Sequence, residues 1–166
     1  MIKAIPTIYG NQQFRSRLEA KWAVFFDLVG AKWVYEPDGF KTKLGNYLPD
    51  FYLPEHDCFV EVKPYFKEGD KECEKWINKG LEVHKITEKP FLFLFGNPNL
   101  YPTLMITERY PNPELTHNVI PLFGRLQKRY GNFWITAGSI GYFADDDFIA
   151  EEFEDEIILA NSYNFR

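Results

Sequence analysis

Three charged side chains in the stretch 48–63, LPDFYLPEHDCFVEVK, are spaced so that they could do chemistry together. Asp50 follows a proline, and ten residues separate it from Glu61, which is two residues before Lys63. On an extended strand, side chains at i and i+2 point to the same face, so Glu61 and Lys63 would share one surface while the valines beside them face the other way. This pattern predicts a strand with a buried face and a charged face.

A turn at 54–57, PEHD, is expected between the two strand-like segments of this stretch. The resulting hairpin would bring Asp50 beside Glu61 and Lys63. Hard divalent cations take oxygen ligands, and Mg2+ usually keeps several waters beside one or two carboxylates. Asp50 and Glu61, with the backbone carbonyl of Val62, are therefore the predicted ligands of Mg2+ or Mn2+.

The chemistry expected of such a group is metal-assisted hydrolysis of a phosphodiester. Lys63 would orient the attacking water or offset charge that develops on the phosphate, since a lowered pKa for this lysine would be opposed by its carboxylate neighbours. Simpler alternatives stay open at this point. Asp50 could be a turn residue bonded to its own backbone, and Glu61 and Lys63 could be a solvent-facing pair.

The clearest helical period in the chain lies upstream of this stretch, at 14–29. An apolar stripe recurs at intervals of four, three and four, and Gly30 supplies a stop. Arg15 and Glu19 are four apart and would lie on one face of this helix. By periodicity alone, Glu19 is interpreted as an exposed carboxylate paired with Arg15. The residues of the stripe are Leu18, Trp22, Phe25 and Val29.

Further elements are predicted on both sides of the charged stretch. An edge strand is expected at Ile2–Ile5. The next elements are strands at Lys32–Glu36, Tyr47–Leu53 and Cys58–Pro64, a helix at about Asp70–His84 with Asp70 as N-cap, and a buried strand in FLFLFGN, 91–97. Beyond residue 97, strands are predicted at Thr103–Thr107, Val119–Phe123 and Phe133–Thr136, followed by a closing helix between Phe148 and Arg166.

The Pro-Asp, ten-residue gap and Glu-x-Lys resemble the motif of the PD-(D/E)XK nuclease superfamily. This family includes restriction enzymes, Holliday-junction resolvases and transposon end-cleaving subunits. Arg-Ser-x-x-Glu at 15–19 looks like a phage and mobile-element subgroup of that family. The resemblance implies that Glu19 joins the catalytic and metal site with Asp50, Glu61 and Lys63, and that Arg15 lies near the substrate path.

The fold that the resemblance implies is a mixed α/β (α+β) restriction-endonuclease-like core in αβββαβ order, with a mixed central sheet flanked by helices. We expect one domain over 1–166, with the core at about 14–97 and a C-terminal extension at 98–166. The expected activity is a Mg-dependent deoxyribonuclease, an endonuclease acting on DNA. The alternatives are a non-catalytic nuclease-like scaffold that binds proteins, or a structure-selective resolvase or transposon end-cleaving subunit working as a homodimer or with a protein partner.

Composition is compatible with this expectation. The two cysteines indicate a reducing compartment, and no apolar run approaches membrane-spanning length. We therefore expect no membrane association and a location in the cytoplasm of a bacterial host cell. The net charge is −5, but the run 145–156 contains eight acidic residues, and subtracting this −8 leaves +3 for the rest. The run is interpreted as a solvated helix face or tail, with a DNA-mimicking or autoinhibitory segment as the alternative.

Two lysine-containing segments are candidate DNA contacts. Lys41 and Lys43 lie in a loop or hairpin arm and could touch phosphates, although solvated loop lysines are the simpler interpretation. The basic patch at 126–130, LQKRY with a preceding arginine, allows the same two interpretations.

Overall fold

The computed structural model describes residues 4–99, 103–106, 122–129, 132–138 and 153–165. Within them it has three α-helices and eleven strands. The helices are α1 Arg17–Leu28, α2 Lys71–Thr87 and α3 Glu154–Ser162. The strands are β1 Thr7–Tyr9, β2 Gln12–Phe14, β3 Val34–Tyr35, β4 Phe40–Thr42, β5 Gly45–Tyr47, β6 Phe51–Leu53, β7 Cys58–Lys63, β8 Phe91–Phe95, β9 Thr103–Ile106, β10 Leu122–Arg129 and β11 Asn132–Gly138.

Seven of these strands form one mixed sheet in the order β11-β10-β9-β8-β7-β6-β3. Only β7 and β8 pair in parallel, with Glu61 opposite Phe93, and the other neighbours are antiparallel. Strands β1 and β2 form a separate hairpin, as do β4 and β5. The predicted mixed α+β fold with a mixed sheet flanked by helices is confirmed. The core elements follow the order α1, β3, β6, β7, α2, β8, with the β4–β5 hairpin inserted after β3.

Helix α1 begins three residues later than its periodicity predicted. Phe14 belongs to β2, and Ser16 is the N-cap, whose hydroxyl accepts a hydrogen bond from the Glu19 amide. Arg15 therefore precedes the helix, and the prediction that it shares a helix face with Glu19 is wrong. The predicted stripe faces the core, and the helix ends before Gly30, which takes a positive φ of 72°.

Helix α2 is the crossover that makes β7 and β8 parallel. Asp70 caps its N-terminus as predicted, accepting hydrogen bonds from the amides of Glu72 and Cys73. Gly80 lies directly on the sheet, where an added Cβ would meet the ring of Phe93 at 2.7 Å. The absence of a side chain at Gly80 thus allows the helix to pack closely over β8.

Strand β8 is buried on both faces, as its uninterrupted apolar sequence predicted. Leu92 and Leu94 pack with α1 and α3 on one face of the sheet. Its three phenylalanines pack on the other face with α2, β9 and Phe59 of β7. Glu61 and Lys63 alternate with the valines of β7, so they lie on the same side of the sheet as Phe59.

Several other predictions are corrected or fall outside the described residues. No strand forms at Ala4 and Ile5, because the first hairpin starts at Thr7; residues 1–3 lie outside the described part. The closing helix is shorter than predicted, and Leu159 is exposed rather than inward, whereas Phe153 and Ala160 are buried. The described part of the basic patch, 126–129, lies in β10, and residues 130 and 145–152 are outside the described part. No helix in the described part has the length and hydropathy needed to cross a bilayer.

Candidate active site

Asp50 and Glu61 meet where the pairing of β6 with β7 ends. The last backbone pair is Phe51 with Val60, and the next pair along would be Asp50 with Glu61. Side chains take over the hydrogen bonding here: the Asp50 amide donates to Oε2 of Glu61 at 3.3 Å, and the Val62 amide donates to Oδ2 of Asp50 at 2.8 Å. The predicted hairpin therefore places the two carboxylates together.

Both carboxylates are almost completely buried, with 2% of each residue exposed. Burial is the main reason that the pKa of Asp50 is raised, and the charges of Glu61 and Glu19 raise it further. Burial also raises the pKa of Glu61, against the opposing effects of Lys63, Tyr47 and Arg15. Two raised carboxyl pKa values in one place are typical of a functional site, because a fold gains no stability from burying such groups.

Lys63 lies on the Glu61 side of the pair, as its i+2 spacing predicted. Its ammonium group forms a short ion pair with Oε1 of Glu61 and lies 5.4 Å from the centre of the Trp76 ring on α2. One fifth of the Lys63 side chain is exposed. The amine is thus fixed between a carboxylate and an aromatic face while remaining accessible to solvent.

Arg15 lies on the other side, in contact with Asp50. Its terminal Nη2 forms a short ion pair with Oδ1 of Asp50, and its Nε lies 2.9 Å from Oε1 of Glu36. The Nε to Glu19 distance is 4.0 Å. Although burial opposes the charge, Asp50, Tyr35 and Glu19 together raise the pKa of Arg15, which keeps it a cation.

Glu19 is buried, with 7% exposed, and not the solvent-facing carboxylate that periodicity indicated. Its Oε1 accepts a hydrogen bond from the Ser16 hydroxyl at 2.8 Å. Its Oε2 accepts from the Tyr35 hydroxyl at 2.5 Å and from the Arg15 amide at 3.2 Å. This is a variant of the capping box, in which a carboxylate at the third helical position accepts a hydrogen bond from a backbone amide before the helix. Glu19 thus fixes the segment that carries Arg15, and it makes no hydrogen bond to Asp50 or Glu61 among the described contacts.

Tyr35, Glu36 and Tyr47 are site residues that the sequence analysis missed. Glu36 follows β3, and its amide donates to the Asp50 carbonyl at 2.9 Å, which extends the β3–β6 register by one residue. That register is the signal that could have found it. Burial raises the pKa of Tyr47, whose hydroxyl lies near Glu61 without forming a hydrogen bond of normal geometry.

The predicted phosphate contacts Lys41 and Lys43 are exposed on the β4–β5 hairpin, and neither forms an ion pair with the carboxylates in the described part of the chain. A depression of about 520 Å3 lies at the end of α1, lined by residues that include Asp27, Trp33 and Pro54, and contains none of the candidate residues. We assign it no role in the site.

The donors at the centre of the site suit a hard cation. Asp50 and Glu61 supply oxygens, and because the N–H and C=O of one residue in a strand point to the same edge, the Val62 carbonyl faces the side where its amide meets Asp50. Within the described residues, no three His, Cys, Asp or Glu side chains gather into a single metal cluster. The oxygen donors that suit a hard cation here are therefore two carboxylates and one backbone carbonyl.

Comparisons with family models, with curated proteins and with solved structures gave no match to this chain. The geometry of the site therefore carries the functional proposal.

Proposed function

We propose that this protein is a metal-dependent nuclease that hydrolyses phosphodiester bonds of DNA, on a core of the restriction-endonuclease type. The observation that carries the proposal is the burial of Asp50 beside Glu61 at the end of the β6–β7 pairing. Neither carboxylate caps a helix or closes a turn, so each costs stability that a bound cation would offset. This favours a site kept for binding over a structural ion pair.

In this proposal, Asp50, Glu61 and the Val62 carbonyl hold Mg2+ or Mn2+. The bound cation would polarise the phosphate and lower the pKa of the attacking water. Lys63, accessible at the edge of the site, donates hydrogen bonds to that water or to a phosphate oxygen. Glu19 acts on Arg15 as a positioning residue, since its Oε2 accepts the Arg15 amide and its Oε1 accepts the hydroxyl of Ser16, the next residue.

The order of the core elements also supports this reading. Helix α1, three antiparallel strands, crossover helix α2 and parallel strand β8 match the αβββαβ order that the motif implies. Asp50 immediately precedes β6, and Glu61 and Lys63 belong to β7, so the motif lies at the two central strands of this order.

A non-catalytic scaffold is the second candidate, and one observation favours it. Each buried carboxylate already has a cationic partner from the chain itself, Arg15 for Asp50 and Lys63 for Glu61. Such a network can persist for structural reasons after catalysis has been lost. A scaffold would bind a protein partner with no cleavage of DNA.

The test is incubation of the full chain with linear, circular, single-stranded and branched DNA in Mg2+, Mn2+ or EDTA. Asp50→Asn keeps an oxygen that can accept from the Val62 amide, so it removes the charge with little change in shape. We expect cation-dependent cleavage that Asp50→Asn abolishes. The matched control is Asp57→Asn in the exposed turn of the same hairpin, which should cleave normally. Cation-independent cleavage, or equal cleavage by Asp50→Asn, would refute the proposal.

A further inference from the structure

Arg15 is shared between two carboxylates that come from neighbouring strands. One terminal nitrogen forms an ion pair with Oδ1 of Asp50, and Nε forms an ion pair with Oε1 of Glu36. Half of the Arg15 side chain is exposed, although the carboxylate that it neutralises is buried. The guanidinium group therefore spans from the interior of the site to its surface.

Arg15 holds the Asp50 oxygen that a cation would need. The other oxygen, Oδ2, already accepts the Val62 amide, and Oε2 of Glu61 accepts the Asp50 amide. A divalent cation bound at Oδ1 and a guanidinium group at the same atom would repel each other strongly. The two cations therefore compete for Asp50.

Glu36 gives Arg15 a second anchor at a fixed place. It adopts a left-handed backbone conformation with φ of 46°, which is unfavourable for a residue with a side chain. Its amide is tied to the carbonyl of Asp50 at 2.9 Å, so the backbone that carries the Glu36 carboxylate is held beside the ligand residue. Arg15 can release Asp50 while its Nε stays bound to Glu36.

We propose that Glu36 is a positioning residue, which holds Arg15 when a divalent cation replaces its guanidinium group at Asp50. When a divalent cation takes Oδ1, Arg15 remains attached to Glu36 through Nε, and its terminal nitrogens turn outward to a phosphate oxygen of the nucleic acid. A guanidinium group suits this exchange because its nitrogens can bond two acceptors at once in a fixed geometry. The inference rests on the proposed function, and it adds a residue that the motif does not contain.

The test is a double-mutant cycle in cation affinity, measured by calorimetric titration of the full chain with MnCl2. Arg15→Gln removes the competitor and should raise the affinity about five- to tenfold. Glu36→Gln removes the second anchor, leaves Arg15 on Asp50, and should lower the affinity several-fold. In the Arg15→Gln background, Glu36→Gln should have no effect. Arg17→Gln and Glu55→Gln, at exposed positions away from Asp50, are the matched controls, and thermal unfolding in EDTA verifies that every variant is folded.

A second measurement follows the outward turn of Arg15. Binding of a short fluorescent DNA duplex is measured in Ca2+ by anisotropy, and Arg15→Gln should weaken it about tenfold while Arg17→Gln does not. Unchanged DNA affinity in Arg15→Gln would overturn the phosphate contact.

The outcomes separate this inference from the function that it rests on. If Glu36→Gln lowers Mn2+ affinity equally with and without Arg15, its charge acts directly on the cation, and the positioning role is wrong although the nuclease proposal stands. If Arg15→Gln binds Mn2+ and the natural chain does not, the result supports competition between Arg15 and the cation for Asp50, and shows that Arg15 prevents binding in the natural chain. If neither binds Mn2+ at any concentration, the metal site and the inference both fail.

Discussion

The amide of Val62 donates a hydrogen bond to Oδ2 of Asp50 at 2.8 Å, across the point where two strands stop pairing. The bond replaces a rung of the β-ladder with a side chain, and it fixes the orientation of the Asp50 carboxylate. Oδ1 is the oxygen that meets a partner from outside the hairpin, the guanidinium group of Arg15.

The first prediction concerns pH and folding. Because burial raises the pKa values of Asp50 and Glu61 above 3.8 and 4.5, their contribution to stability is present below those ordinary values and is lost as pH rises through the folded-state values. Asp50→Asn should therefore be more stable than the natural chain at neutral pH in EDTA, by roughly 0.5–2 kcal/mol. Urea unfolding at several pH values measures this gain, which should shrink toward acid pH. A gain that does not depend on pH would contradict the assignment.

The second prediction separates turnover from cation binding at Lys63. Lys63→Ala should reduce the cleavage rate by about 100-fold or more, because it removes a donor aimed at developing charge. Its Mn2+ affinity should be unchanged or higher, since the lysine competes for Glu61. Lys79→Ala is the matched control: this lysine also lies 5.4 Å from an aromatic ring, that of Tyr47, but forms no described ion pair with Glu61. Normal turnover by Lys63→Ala would refute its role.

The third prediction concerns the capping role of Glu19. Glu19→Ala leaves the Tyr35 hydroxyl and the Ser16 hydroxyl without their acceptor, and the Arg15 amide loses one of its two acceptors, the other being the Tyr35 oxygen. The substitution should therefore lower the free energy of unfolding by about 1–3 kcal/mol. Ser16→Ala should cost about 1 kcal/mol through the same cap.

Cation affinity decides between the two roles considered for Glu19. We expect the Mn2+ affinity of Glu19→Gln to match that of the natural chain, because its oxygens point to Ser16, Tyr35 and Arg15. A large loss of affinity with unchanged stability would make Glu19 a metal ligand instead.

The fourth prediction tests the close approach of α2 to the sheet. Gly80→Ala places a methyl group 2.7 Å from the Phe93 ring, which is fully buried, and 2.9 Å from the Phe91 ring. Overpacking of this kind costs about 1–3 kcal/mol, which exceeds the roughly 1 kcal/mol that alanine gains in a helix. Thermal unfolding should show a net loss, whereas Gly39→Ala, whose Cβ would meet nothing nearer than 4.0 Å, should not. Stabilisation by Gly80→Ala would show that the helix can shift.

The sequence predicted what depends on local spacing. The pairing of Asp50 with Glu61 follows from a short hairpin, and the parallel strand β8 follows from a continuous apolar run after a helix. These features are fixed within about a dozen residues or by one periodicity. Spacing and periodicity along the sequence were therefore sufficient to predict them.

The sequence did not predict contacts between distant segments. Arg15 and Asp50 are 35 residues apart, and their contact depends on where β2 ends and where Ser16 starts the helix. Helical periodicity runs through Phe14 without a break, so it gave no sign that Arg15 lies outside α1. Glu36 was missed for a related reason, because its role depends on a register between β3 and β6 that no spacing within either strand encodes.

The side chains that converge at the hairpin, from Arg15 and Glu19 through Glu36 and Asp50 to Glu61 and Lys63, all precede Pro64 in the chain. In the described part of the chain after Pro64, helix α2 contributes the Trp76 ring beside Lys63, and no residue there forms an ion pair with Asp50 or Glu61. The charged groups of the candidate site therefore come from the first 63 residues, whereas the core beneath them is built from both sides of Pro64, with Leu92, Leu94 and Phe153 in one cluster with the buried residues of α1.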